Sequence, residues 1–426
     1  MENKKTVVYV ILDAFRWDYI DEKNTPFLFE LTKKSVYAKK LKSSTGFTQR
    51  TAMFTGIAPS ESDVFTVFYR DPDNSPFKFL HKKSAKLVKL VEKMTRLPHH
   101  FFCKLNKLVR DSLIQSNGFR RCRFPIVANI PLNILPQLSL SEDQERGLWY
   151  PGSLGKIETL FDVLYKEDKN VSYLMYPIEF CGTTEKVMEG ARRYVDDQDD
   201  LYLFQFNDSD DLVHFCGVNT QRRRDICRDV DSGLKQLVDL FESKFDDVSL
   251  VIIGDHGMSD VHKSLDVERD IKSIAKKNKL CLGKDFLYFL DSTMLRIWWL
   301  NNKAKEAFTS LYNKPLYKEN GEWVNDELAE KYSIPGPGAK YGDMIWWVNQ
   351  GVMIEPCFFH PTKNPVKAMH GYKSDYEDMK GFALCRVEGV SPKQIEECTL
   401  YDICPTICDA VGVRYPNMNK AKSLLK

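Results

Sequence analysis

Short apolar runs rich in β-branched residues alternate along this chain with longer segments whose apolar residues recur at helical spacing. TVVYVILD is followed by TPFLFELTKKS, VSYLMYP by TTEKVMEGARRYVDD, and LYLFQFND by VNTQRRRDICRDVDSGLKQLVDLFESKF; VSLVIIGD then closes the series. Strand, turn and helix in rotation predict an α/β fold, a largely parallel central sheet with helices on both faces. Three of these strands run directly into polar residues: Asp13, the cluster at 207–211, and the pair Asp255-His256. Functional residues of open α/β sheets gather at the carboxyl ends of strands, so these three ends are expected to converge along one edge. Gly254 and Gly257 flank the Asp-His pair and read as room for the backbone to turn.

One stretch breaks the rotation. Residues 77–123 carry thirteen Lys/Arg against two acids, with Leu80, Leu87, Val91 and Met94, then Phe101, Leu105 and Leu108, at helical spacing. The plain reading is a helical excursion with a solvated basic face; the sharper one is a basic amphipathic element in peripheral contact with anionic lipid or a lipid-linked substrate. The chain is thus expected to be a single α/β domain over residues 1–426, with a basic, partly apolar insertion at 70–150.

Lys and Arg number 61 against 59 Asp and Glu, so overall charge gives no reason to expect nucleic-acid binding. Eleven cysteines, an odd count without a CxxC pair, are scattered through apparent core segments, and Cys404 and Cys408 fall four apart as on one helix face. That usage fits a reducing compartment better than a disulfide framework. The apolar run at 6–12 is too short for a signal-peptide core or a membrane span. A cytoplasmic location is the expectation.

The chemistry lies in the polar residues. Asp210 and His214 stand four apart, a spacing that puts both on one helix face where they can hold a single ion. Each such pair is weak evidence alone, because a satisfied surface pair looks the same. The chain has only eight histidines, however, and His214, His256 and His370 all sit in strand-end or loop contexts beside acids or glycine. With Asp13, Asp210 and Asp255 they make a six-ligand mix of carboxylate and imidazole. Such a mix suits two divalent ions and favours zinc over magnesium.

The ordered set ILDAFRWDYI, NTPFLFELT, FTGIAPSES, DSDDLVHFCG, VIIGDHGMSD, MHGYKSDYEDMKGFAL and YDICPTICDAVGV resembles the alkaline phosphatase superfamily, and within it the nucleotide pyrophosphatase/phosphodiesterase branch. The resemblance runs from about residue 6 to 70 and from about 150 to 425. It implies an alkaline-phosphatase-like fold, with Asp210, His214 and His370 on one metal and Asp13, Asp255 and His256 on the other. It also implies hydrolysis of a phosphodiester or pyrophosphate bond through a covalent phosphothreonine. The substrate would be an anionic phosphoester, such as a nucleotide-sugar, a lipid-linked pyrophosphate or a glycan phosphodiester.

The chain departs from its relatives at the nucleophile. They place a Thr, Ser or Cys nine residues before the Thr of the TG pair; here that count lands on Gly46, between Thr45 and Thr48. Thr48, at the start of the expected helix, is the candidate nucleophile, with Thr45 next and a simple helix cap as the bland alternative. Arg50 is placed to clamp a phosphate oxygen or to make a structural ion pair. Ser62-Asp63 replaces a usual His-Gly, and Ala14 replaces a common glycine, a change expected to be harmless.

A sulfatase would need Cys or Ser in a C/S-x-P-x-R motif, and neither that residue nor the proline is present. A phosphosugar mutase would need a larger inserted domain. Phosphomonoester hydrolysis, and a non-catalytic metal-binding or membrane-surface protein of the same fold, stand as the alternatives.

Overall fold

Alternate residues of the first strand, β1 (Lys5–Leu12), enter two different cores: Val7, Tyr9 and Ile11 one, Val8, Val10 and Leu12 the other. A strand buried on both faces loses the polar alternation of a surface strand and reads as a continuous apolar run. The computed structural model that shows this describes residues 5–46, 49–78, 130–131, 133–141, 147–175, 182–360, 365–417 and 421–426. The strands β2 (Val36–Lys42), β3 (Val171–Leu174), β4 (Leu201–Phe206), β5 (Asp247–Gly254), β6 (Gly381–Arg386) and β7 (Lys393–Thr399) complete a seven-stranded sheet in the order β7-β2-β6-β5-β1-β4-β3. Only β6 runs against its neighbours. This is the mostly parallel α/β architecture that the strand–helix rotation predicts.

Helices cover both faces. On one side Leu160–Lys166 and Ile403–Val411 pack against the sheet, with Cys404 and Cys408 both buried as small apolar side chains. On the other, Thr184–Tyr194 and the 22-residue helix Gln221–Glu242 supply Val187, Ala191, Ile226, Val230, Leu234 and Leu237. The eight cysteines among the described residues carry free thiols. No helix among those residues is long and apolar enough to cross a membrane.

The register of the three central strands fixes the functional edge. Leu12 lies beside Phe206 of β4 on one side and Gly254 of β5 on the other, so the three strands end level with one another. The residues that follow, Asp13, Asn207 and Asp255, therefore leave the sheet side by side.

A second, antiparallel sheet was not distinguished by the hydrophobic pattern. Its strands are Phe286–Leu290, Met294–Trp299, Met344–Val348 and Gly321–Trp323, in that order. The first and third are buried at every position, so they show no period-two alternation to betray them. This sheet has its own core, which includes Phe77 at the start of the basic stretch and Ile130, Ile134, Leu135 and Leu138 beyond it. Both ends of the stretch thus return to one core, while residues 79–129 lie outside the described residues. An ion pair between Arg296 and Asp291, 2.8 Å and fully buried, adds a further tie: the same guanidinium donates to Thr66 Oγ1 and the Phe68 carbonyl. Breaking a pair of this kind by removing one partner costs about 3–5 kcal/mol, because the remaining charge is stranded.

Ala14 is not a harmless replacement. It sits at φ +54°, in the left-handed region that glycine occupies freely, with its N–H donating to Asp255 Oδ1 at 3.2 Å. An L residue there carries about 1–2 kcal/mol of strain. Glycine would remove it at an entropic cost of about 0.5–1 kcal/mol. Ala14→Gly is therefore expected to stabilise the fold by about 0.5–1 kcal/mol in a denaturant titration; a lower midpoint would show that the strain is relieved elsewhere.

Candidate metal centre

Beyond β1, Asp13 turns its carboxylate toward the end of β5, where Oδ1 lies 3.2 Å from His256 Nε2. Its other oxygen accepts a 2.7 Å hydrogen bond from Gln205 in β4. Asp255 faces the same imidazole, with Oδ2 3.8 Å from Nε2, while its Oδ1 accepts from the His256 and Ala14 amides. The chain after β4 forms the helix Asp208–Cys216, which carries Asp210 and His214 one turn apart. Asp210 Oδ1 is 3.4 Å from His214 Nε2 and 3.4 Å from His370 Nε2. His370 follows the two-residue strand Ala368–Met369, which pairs with Ser259–Asp260 just beyond His256. All six ligand candidates from the sequence come together.

Donor atoms from Asp13, Asp255 and His256 lie within 4.8 Å of one another, and so do those from Asp210, His256 and His370. His256 belongs to both sets, and His214 joins the second through Asp210. The ring centroids of His256 and His370 are 4.4 Å apart, and those of His370 and His214 5.2 Å. One histidine escaped the sequence reading. His360 extends the row, its ring 5.1 Å from His214. It sits in a loop after Cys357 with no acid or glycine beside it, so no local pattern marked it.

Two of the imidazoles are oriented with Nε2 toward the carboxylates. His214 Nδ1 is 2.7 Å from the Ala368 carbonyl and His256 Nδ1 is 3.0 Å from the Gly257 carbonyl. A carbonyl only accepts, so each Nδ1 carries hydrogen and each Nε2 presents its lone pair to the carboxylates when the ring is neutral. The loop bearing His370 is pinned from the second sheet, where Thr293 Oγ1 and Trp347 Nε1 both donate to the Gly371 carbonyl at 2.9 and 3.0 Å.

The glycines beside the Asp-His pair serve close approach rather than turning. Neither has a positive φ, but a Cβ on Gly254 would fall 2.0 Å from the Phe15 carbonyl oxygen, and one on Gly257 1.9 Å from that of Asp378. Backbones carrying ligands from three loops cross at these two points.

Burial raises Asp255, and although His256 opposes it, Asp13 and Asp210 reinforce the rise, taking its pKa to about 7. Burial works to lower His256, but Asp255 and Asp13 outweigh it and raise the imidazole to about 10. In Asp210 burial is overcome by His214, His370 and His256, which hold the carboxyl well below its usual range. His370 is pushed well down, first by burial and then by His256. Alone, the cluster holds its charges with protons; divalent cations placed among these donors would do so without them.

Near the nucleophile candidates, Gly46 has φ +106°, and a Cβ there would fall 2.2 Å from the Phe65 carbonyl oxygen. The position nine residues before Thr55 therefore admits no side chain in this arrangement. Thr45 is buried, with its hydroxyl 3.2 Å from Ser374 Oγ, four residues past His370. Thr48 lies outside the described residues. Arg50 is half-buried in the first turn of the helix Gln49–Thr55. Asp63, in place of the usual glycine, takes a left-handed φ of +53°, a conformation Asp tolerates better than most residues.

A family model described as type I phosphodiesterase/nucleotide pyrophosphatase matches residues 7–372. No curated protein matches the chain's sequence significantly. Among solved structures, human ectonucleotide pyrophosphatase/phosphodiesterase 5 superposes with a TM-score of 0.64 at 15% identity, covering 98% of this chain and 97% of that one. The murine protein gives 0.67 at 14% identity, with 97% of each chain covered. An inactive Thr-to-Ala variant of the murine protein in complex with AMP gives 0.64 at 15% identity, again over 97% of each chain.

Because Asp255 and Asp13 raise the His256 imidazole, which must be neutral to ligate, a divalent cation bound here is expected to release at least one proton per chain at pH 7. Affinity should then rise with pH, by about tenfold per unit for each proton released, until the imidazole's own value near 10 is passed. Calorimetric titration in two buffers of different ionisation enthalpy measures the release directly. Equal heats in the two buffers would contradict it.

Proposed function

The chain belongs to the type I phosphodiesterase/nucleotide pyrophosphatase family of hydrolases, and from that premise we propose that it hydrolyses a phosphodiester or pyrophosphate bond at a two-metal site through a covalent phosphothreonine. One observation carries the metal dependence. Asp210 Oδ1 is a buried carboxylate oxygen with no hydrogen bond, set 3.4 Å from two imidazole nitrogens that both face it. An unsatisfied buried acceptor is expensive, and a cation between these donors would satisfy all three. The mixture of imidazole and carboxylate favours zinc.

Bound divalent ions supply Lewis acidity, lowering the cost of negative charge on the attacking and leaving oxygens. The residues of the chain provide the remainder. Asp13 and Asp255, fixed by Gln205 and by backbone amides, hold a concentrated negative field at one end of the site. Asp210 adds a third carboxylate from the helix that also carries His214, whose ring is oriented by the Ala368 carbonyl. A threonine hydroxyl attacks phosphorus in line with the departing oxygen; the bond from phosphorus to that oxygen breaks, and the hydroxyl's proton ends on the leaving group. Water then hydrolyses the phosphothreonine and returns the hydroxyl. Thr48 is the proposed nucleophile. Thr45 is a second reading, favoured by the 3.2 Å approach of its hydroxyl to Ser374 on the loop that carries His370.

The substrate is an anionic phosphoester in which a nucleotide-sugar, a lipid-linked pyrophosphate or a glycan phosphodiester would each serve. The AMP complex of the murine structure supports a nucleotide-containing one. The basic insertion is the proposed source of further contacts to the anionic or lipid part.

Zinc-loaded protein is expected to turn over bis(p-nitrophenyl) phosphate in preference to p-nitrophenyl phosphate. Asp255→Asn and the nucleophile variant should each lose at least about a thousandfold in kcat/KM. Loss in Thr48→Ala with activity kept in Thr45→Ala assigns the nucleophile to Thr48, and the reverse assigns it to Thr45. Preference for the monoester would overturn the reaction class.

A further inference from the structure

We infer that the Asp378 carboxylate is a positioning group that clamps together the three loops bearing Asp13, Asp255-His256 and His370, an inference that rests on the two-ion reading of the site. Asp378 lies eight residues after His370, on the same loop. Its Oδ1 pairs with Arg16 Nη2 at 2.9 Å, three residues after Asp13. Its Oδ2 accepts from Ser259 Oγ at 3.0 Å, three residues after His256. One carboxylate on the third loop therefore touches the other two, each three residues from a ligand.

Three further bonds close the arrangement. Arg16 Nη1 donates to the Met258 carbonyl at 3.0 Å, joining the first two loops directly. Gln350 Nε2 donates to both Asp378 Oδ2 and Ser259 Oγ, at 2.6 and 2.9 Å, from the turn after the second sheet's Met344–Val348 strand. Ser259 also lies in the short strand paired with Ala368–Met369, which runs into His370 and accepts from His214. A shift at Asp378 would thus pass to both donor sets. Loss of a group that orients a metal ligand costs about 10–100-fold in affinity, and Asp378 acts on the backbone segments that carry the ligands.

Asp18 supplies the control, because charge and clamping must be separated. It grips the Arg16 guanidinium through both oxygens, at 2.8 and 2.7 Å, and carries the same charge as Asp378. Among the described residues it makes no hydrogen bond to the other two loops.

The test is zinc affinity by chelator competition, with thermal unfolding of the zinc-free protein alongside. Asp378→Asn should weaken zinc binding by about 10–100-fold, whereas Asp18→Asn should stay within about threefold of wild type. Equal weakening in both variants would reduce the effect to charge and overturn the clamp, as would unchanged affinity in a folded Asp378→Asn protein. If Asp378→Asn shows no cooperative unfolding transition, Gln350→Ala decides: a several-fold loss supports the clamp and wild-type affinity refutes it. Absence of stoichiometric zinc in the wild-type protein would overturn the ion site itself and the clamp with it, an outcome distinct from failure of the clamp alone.

Discussion

The register of three adjacent parallel strands governs this molecule. Leu12, Phe206 and Gly254 are held level by ladder hydrogen bonds, so the residues after them emerge at one height. A slip of one position on any strand would exchange its two buried faces and carry its acidic end out of line. Because all three strands are buried on both sides, the cost of such a slip is the loss of two cores at once. The hydrophobic interior thus fixes the spacing of Asp13, Asp255 and the helix bearing Asp210, and function depends on packing remote from it.

What the register assembles is costly for a fold. Three carboxylates and three imidazoles share a volume largely closed to water; burial, reinforced by neighbouring charges, pushes Asp255 up and His370 down, while the imidazoles hold Asp210 down. The raised Asp255 and the lowered His370 record charged forms that burial disfavours and that packing elsewhere must offset, whereas the lowered Asp210 records a carboxylate stabilised by the imidazoles around it. A chain selected for stability alone would have no use for this arrangement, and an apolar cluster of the same shape would serve it better. The strained Ala14 belongs to the same pattern, since its left-handed backbone aims an amide at Asp255. Local strain and buried charge concentrate at one edge of an otherwise well-satisfied sheet.

Four strands of the main sheet, β1, β3, β4 and β5, were legible as uniform apolar runs alternating with helices of period 3.6, whereas β2, β6 and β7 lie outside that rotation. The six ligand candidates were legible as acids and histidines at strand ends. Other features were not. Strands such as Phe286–Leu290 and Met344–Val348 are short and buried throughout, without helices between them to mark their limits. His360 reaches the row of imidazoles through tertiary folding, with no neighbouring residue to announce it. Gly254 and Gly257 were noticed, but local sequence cannot distinguish a glycine needed for a turn from one needed because Phe15 or Asp378 passes within 2 Å or so of where its Cβ would be. The clamp at Asp378 is of the same kind, since its three partners lie on loops far apart in the chain.

Gly46 shows how sequence and structure constrain each other. By spacing alone it is a missing nucleophile, which would argue for a binding protein. In the fold it is a position where a side chain cannot be placed, because the backbone is left-handed and the Phe65 carbonyl occupies the space. Restoring a threonine there would require moving Phe65, whose ring packs edge-on against Tyr341 in a separate core cluster. The departure is therefore a property of the whole loop rather than one lost hydroxyl. A chain with this loop can keep covalent chemistry only by drawing its hydroxyl from a neighbour, and Thr45 and Thr48 flank the glycine on either side. Retention of all six ligand candidates around such a loop is easier to understand if the hydroxyl has moved than if the chemistry has gone.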